Sequence, residues 1–173
     1  ADRGIQIIEL DGSVGVFDNC SFHVLEEHVN NYSDSAIFVG YEGNATINSG
    51  IYTSAGTALY IGSTGGTITV NGGTFTGGKY AVKADASGSS TTAQINITGG
   101  NFSGKLATGV SNNGRADISV TGGYFTDDPS EYLVQGYIAG DSDDSAYTYH
   151  VVEATNTDTP AEVVPAAPAV DTG

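Results

Sequence analysis

The chain has 173 residues, 25 of them glycine, and no methionine or tryptophan. A chain of this length suits one domain with a tail, and a composition poor in helix formers but rich in Gly, Thr, Ser and Asn points to an all-β fold. Five basic residues against 20 acidic ones give a formal net charge of −15, which excludes nucleic acid and anionic membrane surfaces as partners because their phosphates would be repelled.

No apolar run reaches the roughly 18 residues of a membrane span, so membrane insertion is not expected. Cys20 is the single cysteine, so no intrachain disulfide can form. The chain opens on Ala1 without a signal peptide, which reads as a processed protein or an excised fragment.

In chain order, Ile5-Gln6-Ile7 is the first short alternation. Gly15-Val16-Phe17-Asp18-Asn19-Cys20-Ser21-Phe22 then opens a degenerate repeat of 23–30 residues that closes on an aromatic anchor. After the long loop 21–35, Ile37-Phe38-Val39 reads as a second strand. Ala45-Thr46-Ile47-Asn48-Ser49-Gly50-Ile51-Tyr52 repeats the first unit and Leu59-Tyr60-Ile61 the second. The clearest copy, Ile68-Thr69-Val70-Asn71-Gly72-Gly73-Thr74-Phe75, is followed by Val82-Lys83-Ala84. Ile95 to Phe102 and then Thr108-Gly109-Val110 come next, and Ile118 to Phe125 is the last copy.

The columns carry the fold. Five before each anchor stand Phe17, Ile47, Val70, Ile97 and Val120, and seven before stand Gly15, Ala45, Ile68, Ile95 and Ile118. Positions two apart share one face of a strand, so both columns point inward and the residues between them point out. Two before the anchor stand Cys20, Gly50, Gly73, Gly100 and Gly123, small residues suited to a corner at positive φ. In the second strand the inward columns read Ile5, Ile37, Leu59, Val82, Thr108 and Ile7, Val39, Ile61, Ala84, Val110, with Gln6, Phe38, Tyr60, Lys83 and Gly109 between them. Identical columns at a fixed period are what stacked coils require, whereas an antiparallel sandwich does not need this register. The expected fold is therefore all-β, a single-stranded parallel β-helix of about five coils, each with two short strands and a corner. At about 4.8 Å per coil the rod is of order 25 Å long.

The coils fill 1–131. Segment 132–154 departs from the repeat with Tyr132, Tyr137, Tyr147 and Tyr149 and an acidic turn at Asp141-Ser142-Asp143-Asp144, and reads as a C-terminal cap, a hairpin across the last coil. The N-terminus shows no comparable cap, so further protein is expected before Ala1. Segment 155–173 contains Pro160, Pro165 and Pro168 among alanines and reads as an extended linker or tail.

The Ile-x-Val-x-Gly-Gly-x-Phe coils, followed by Tyr132-Leu133-x-x-Gly136-Tyr137 and Tyr147-x-x-x-Val151, resemble large adhesin-like surface proteins of Gram-positive gut bacteria. The resemblance covers residues 4–153. It implies a pectate-lyase-like right-handed β-helix on the bacterial cell surface, attached to the wall in the full-length protein through a Pro-rich stalk. It also implies a non-enzymatic adhesion module whose ligand is a host or environmental glycan or glycoprotein, immunoglobulin included.

Catalytic chemistry finds little support in the columns. A lyase needs clustered carboxylates for Ca²⁺ beside a basic residue, and a hydrolase needs two carboxylates at a set separation. Asp18, Asn48, Asn71, Thr98, Thr121 and Val14, Asn44, Thr67, Gln94, Asp117 each hold one acid. Arg115 and Asp117 are expected to form a surface ion pair. Asp141 to Asp144 lacks the glycine and glutamate of a calcium loop, since Ala146 and Val152 hold those places. His23, His28 and His150 are scattered, so no metal site and no cofactor is expected. Thr-x-Thr pairs such as Thr67-Ile68-Thr69 resemble ice-binding faces, but no outward column is Thr in every coil.

The outward row Phe38, Tyr60, Lys83 is the expected binding site. Aromatics exposed beside a polar group can stack on sugar rings or anchor a protein. If the row is open, Phe38→Ser with Tyr60→Ser removes binding at little cost in stability; the alternative is that the long loop 21–35 covers the row. The isolated domain is expected to be a monomer. Two other functions fit the same fold: a fragment of a polysaccharide lyase or hydrolase, and a structural spacer in a surface stalk.

Overall fold

The computed structural model describes residues 6–24 and 34–155. In chain order its strands are β1 (Gln6–Asp11), β2 (Val14–Phe17), β3 (Cys20–Val24), β4 (Ser35–Gly40), β5 (Gly43–Ile47), β6 (Gly50–Ser54), β7 (Thr57–Ile61) and β8 (Gly66–Val70). They continue with β9 (Thr74–Ser87), β10 (Thr92–Ile97), β11 (Asn101–Ser111), β12 (Arg115–Val120), β13 (Gly123–Phe125), β14 (Tyr137–Asp141) and β15 (Tyr149–Glu153). A 3-10 turn at Ser130–Tyr132 is the one helical element among the described residues.

The strands form three parallel stacks. The first side runs β1, β4, β7 and the second halves of β9 and β11. The second side runs β2, β5, β8, β10, β12. The third runs β3, β6, the first halves of β9 and β11, and β13. Five rungs on each side are joined by about four turns of a parallel β-solenoid. The expected corner after each glycine is thus itself a strand, so a coil has three strands where the columns suggested two.

The inward columns meet in the order read from the sequence. Ala45, Ile68, Ile95 and Ile118 are in register, as are Phe17, Ile47, Val70, Ile97 and Val120. All are buried in one cluster with the anchors. Tyr52, Phe75, Phe102 and Phe125 stack face over face, with centroids 5.1, 4.9 and 4.9 Å apart and ring planes within 12° of each other. Phe22 ends the column less tightly, tilted 57° against Tyr52 at 5.8 Å and half-buried.

The paired glycines before the anchors serve two purposes. At the first of each pair the coils come too close for a side chain: a Cβ on Gly72 would lie 2.6 Å from Asn48 O, and one on Gly122 would lie 2.4 Å from Thr98 O. The second of each pair takes positive φ, +113° at Gly73 and +109° at Gly100, where an L side chain is strained. In the first coil, where Cys20 stands in this column, Asn19 takes the left-handed conformation instead, at φ 53°. Asparagine tolerates that region better than most residues.

The second strand is in register where the columns agree: Ile37, Leu59 and Val82 pair, and so do Val39, Ile61 and Ala84. Two ends of these columns differ from the expectation. Leu106 pairs with Val82, where Thr108 was expected, and Thr108 pairs with Ala84 in place of Val110. The turn after Phe102 is shorter: Gly104 alone, at φ +116°, does what Gly77-Gly78-Lys79 does a coil earlier, and Ala81 then bulges without a partner between Lys105 and Leu106. Val110 is accordingly 57% exposed. At the other end, Ile8 and Leu10 pair with Ile37 and Val39, so Ile7 points outward, and Ile5 lies outside the described residues. The outward column therefore reads Glu9, Phe38, Tyr60, Lys83, Ala107, without Gln6 or Gly109.

Beyond β13 the chain reverses. β15 pairs antiparallel with β13, and β14 pairs antiparallel with β15. Val151 reaches the core cluster from β15, and Tyr132, Leu133, Tyr137 and Tyr149 pack against that cluster.

Candidate functional site

Phe38, Tyr60 and Lys83 stand in one row on three successive rungs of the first side. Phe38 meets Tyr60 edge to face, with centroids 5.5 Å apart. The row is closed, not open: Tyr60 is 6% and Lys83 9% exposed, and Phe38 is half-buried. The segment that the sequence suggested as a cover, within loop 21–35, falls largely outside the described residues.

Asp85 holds the polar ends of Tyr60 and Lys83. The Tyr60 hydroxyl donates to Asp85 Oδ2 at 2.8 Å, and Lys83 Nζ forms an ion pair with the same carboxylate. Lys83 Nζ also lies 5.3 Å from the Tyr60 ring centre and 6.0 Å from that of Tyr80, within range of cation–π attraction. A partly buried cation that is both ion-paired and laid over rings keeps its charge compensated away from bulk water.

The neighbouring outward column, two residues on, reads Asp11, Gly40, Gly62, Asp85, Gly109. Its glycines make a trough. A Cβ on Gly62 would lie 2.5 Å from Phe38 Cζ, and one on Gly109 would lie 2.3 Å from Asp85 Oδ1. Phe38 thus lies across Gly62, and Asp85 leans over Gly109. Asp85 was not singled out from the sequence. Its signal was there: an acid between two glycines of its column, Gly62 and Gly109, and two residues after an outward lysine.

Beside the row the trough opens into a cleft of about 360 Å³. Lys83, Asp85, Gly109, Ser63, Val110 and Ser111 are among its lining residues. Among the described residues Asp85 is the only carboxylate lining it. The cleft offers hydroxyls, backbone groups, a charge pair and one exposed valine, a surface suited to hydrogen-bonding a polar chain.

The other candidates lie apart from this cleft. Arg115 and Asp117 do not form the expected ion pair: Asp117 Oδ2 accepts from Gln94 Nε2 and from Ser119 Oγ, each at 2.9 Å. Those two neutral donors lie nearby on the same outward face. Asp141 to Asp144 turns from β14 toward β15, with Ser142 Oγ donating to Asp144 O and Ala146 N–H donating to Asp144 Oδ1. Among the described residues no three His, Cys, Asp or Glu side chains gather as a metal site would require.

No protein-family model matches the sequence, and comparison with curated proteins and with solved structures finds no match. The class defined by the structure itself is that of the parallel β-solenoids, here of about four turns with a built, polar cleft on one side.

Proposed function

We propose that this solenoid is a non-enzymatic binding module of a bacterial cell-surface protein, wound right-handed, with hairpin β14–β15 as its end cap. The right hand follows the crossover rule that governs nearly all parallel strand connections. The ligand is a glycan or glycoprotein, held in the cleft beside Phe38, Tyr60 and Lys83. The observation that carries the reading is the Tyr60–Lys83–Asp85 cluster, a charge pair lining a polar cleft. Polar groups locked by their own packing recognise a ligand without an ordering cost. A single carboxylate already engaged by a lysine and a tyrosine suits recognition better than acid–base turnover, which takes two carboxylates in a hydrolase.

A glycan and host-protein binding screen, run beside lyase and hydrolase assays, tests the reading. Binding that is weakened by Ser111→Trp, a substitution at a lining residue that fills the cleft, supports it. Turnover of any polysaccharide makes the chain an enzyme fragment, and silence in every assay makes it a spacer.

A further inference from the structure

The C-terminal end of the rod is finished on one side and unfinished on another. β13 carries β15 on its outer edge. β12, the last strand of the second side, has β10 on its inner edge, and among the described residues its outer edge is met at one point, where Val134 N–H donates to Val120 O at 3.1 Å. Odd-numbered residues turn their backbone inward: Arg115 N–H donates to Thr91 O at 3.0 Å and Thr121 N–H to Ile97 O at 2.8 Å. Alternation along the strand turns the N–H and C=O groups of Ala116 and Ile118 outward. They border a slot of about 320 Å³ that Thr108, Glu131, Tyr132, Leu133 and Val134 also line. Tyr132 is anchored there, its hydroxyl donating to Leu106 O at 3.3 Å.

We infer that this slot is a strand-addition site for an extended segment of a partner protein that alternates apolar and basic residues. An incoming strand finds unpaired backbone groups on Ala116 and Ile118, as β-strand addition requires. Its inward side chains meet Ala116 and Ile118, which face the core, so they must be apolar. Its outward side chains stand beside Asp117 in a slot that Glu131 also lines, on a chain of net charge −15, so they must be basic. The chain's own tail does not fit this description. Segment 156–173 has no Lys or Arg and carries Asp158, Glu162, Asp171 and three prolines. A second copy does not fit either, because the five basic residues, Arg3, Lys79, Lys83, Lys105 and Arg115, never stand two apart.

The test uses the full chain and a labelled peptide alternating Val and Lys, of a length that spans Arg115 to Ser119 and stops short of the point taken at Val120, read by fluorescence anisotropy. Saturable binding is expected, weakened about tenfold or more by Asp117→Lys with Glu131→Lys, since both compensating charges are reversed. N-methylation along one peptide edge should cost about tenfold or more, while methylation along the other edge leaves affinity unchanged, because only one edge pairs. Equal affinity of the two methylated series would reduce the effect to charge attraction and overturn the inference, as would absence of saturable binding or indifference to the double variant. Tighter binding after deletion of 156–173 would assign the slot to the tail and overturn the choice of partner.

Discussion

Truncating Phe102 to alanine should be among the most damaging single changes in the molecule. Phe102 is fully buried, with Phe75 and Phe125 each 4.9 Å away on its two faces. A buried aromatic removes about 150–250 Å² from water, worth about 4–6 kcal/mol at about 25 cal/mol/Å². Alanine keeps only the Cβ share, and rings held on both sides by a repeated backbone cannot collapse into the gap. The expected loss is about 3–5 kcal/mol, in line with other buried Phe→Ala changes. Phe22→Ala is the internal control. Phe22 sits at the end of the column, tilted, half-buried and stacked on one side only, so its loss should be about half as large. Urea denaturation of both variants, with midpoints compared at unchanged slope, measures the difference. A loss under about 1 kcal/mol for Phe102→Ala, or equal losses at both positions, would refute the argument that the column is a continuous buried stack.

Burial pushes the Tyr52 hydroxyl up to about 12, with Cys20 and Asp18 adding to the effect. A group raised in the folded state leaves stability intact below its unfolded pKa of about 10 and erodes it as pH climbs toward the folded value. Wild-type stability should therefore fall between about pH 10 and 12, and Tyr52→Phe should lessen that fall; ultraviolet tyrosinate titration beside thermal melts checks both. Gly100→Ala places a side chain at φ +109° and should cost about 1–3 kcal/mol, whereas Gly140→Ala, with nothing within 4 Å of its Cβ, should stay within about 0.5 kcal/mol in the same denaturation assay. Phe38→Ser with Tyr60→Ser should lower the melting temperature measurably, contrary to the expectation of an open row, because Tyr60 is 6% exposed and bonded to Asp85; an unchanged melt would mean that the row is open after all.

The core was legible because coil stacking repeats its demands. Phe17, Ile47, Val70, Ile97 and Val120 must all be large and apolar, so the column shows in the sequence. Where the repeat breaks, the letters are ambiguous. Leu106, Thr108 and Val110 share one parity, and two register shifts, the short turn at Gly104 and the unmatched Ala81 opposite Lys105 and Leu106, decide which of them meets Val82. Ile7 and Ile8 are adjacent and both apolar, so parity alone leaves the first strand undecided until Asp11 pairs with Gly40. The outward row was legible in the columns, but whether it lay open or covered was not, because exposure depends on what leans across from neighbouring segments. Asp85 pairs with Lys83 while leaning over Gly109, which has no side chain to hold it off, and a reading confined to one column does not see that.

The glycine pairs also bear on how such a rod grows. Each pair answers only to the coil beneath it: the first residue to a carbonyl there, the second to its own backbone angle. Nothing in the corner refers to the total number of coils. A duplication of one coil, inserted in frame after Val70, would meet the same ring, the same carbonyl and the same inward isoleucine above and below. It would lengthen the molecule by about 4.8 Å without disturbing either terminus. Loss of a coil obeys the same rule in reverse, so the length of the shaft can change by gene duplication or deletion in whole steps, while the hairpin end and the cleft are inherited intact.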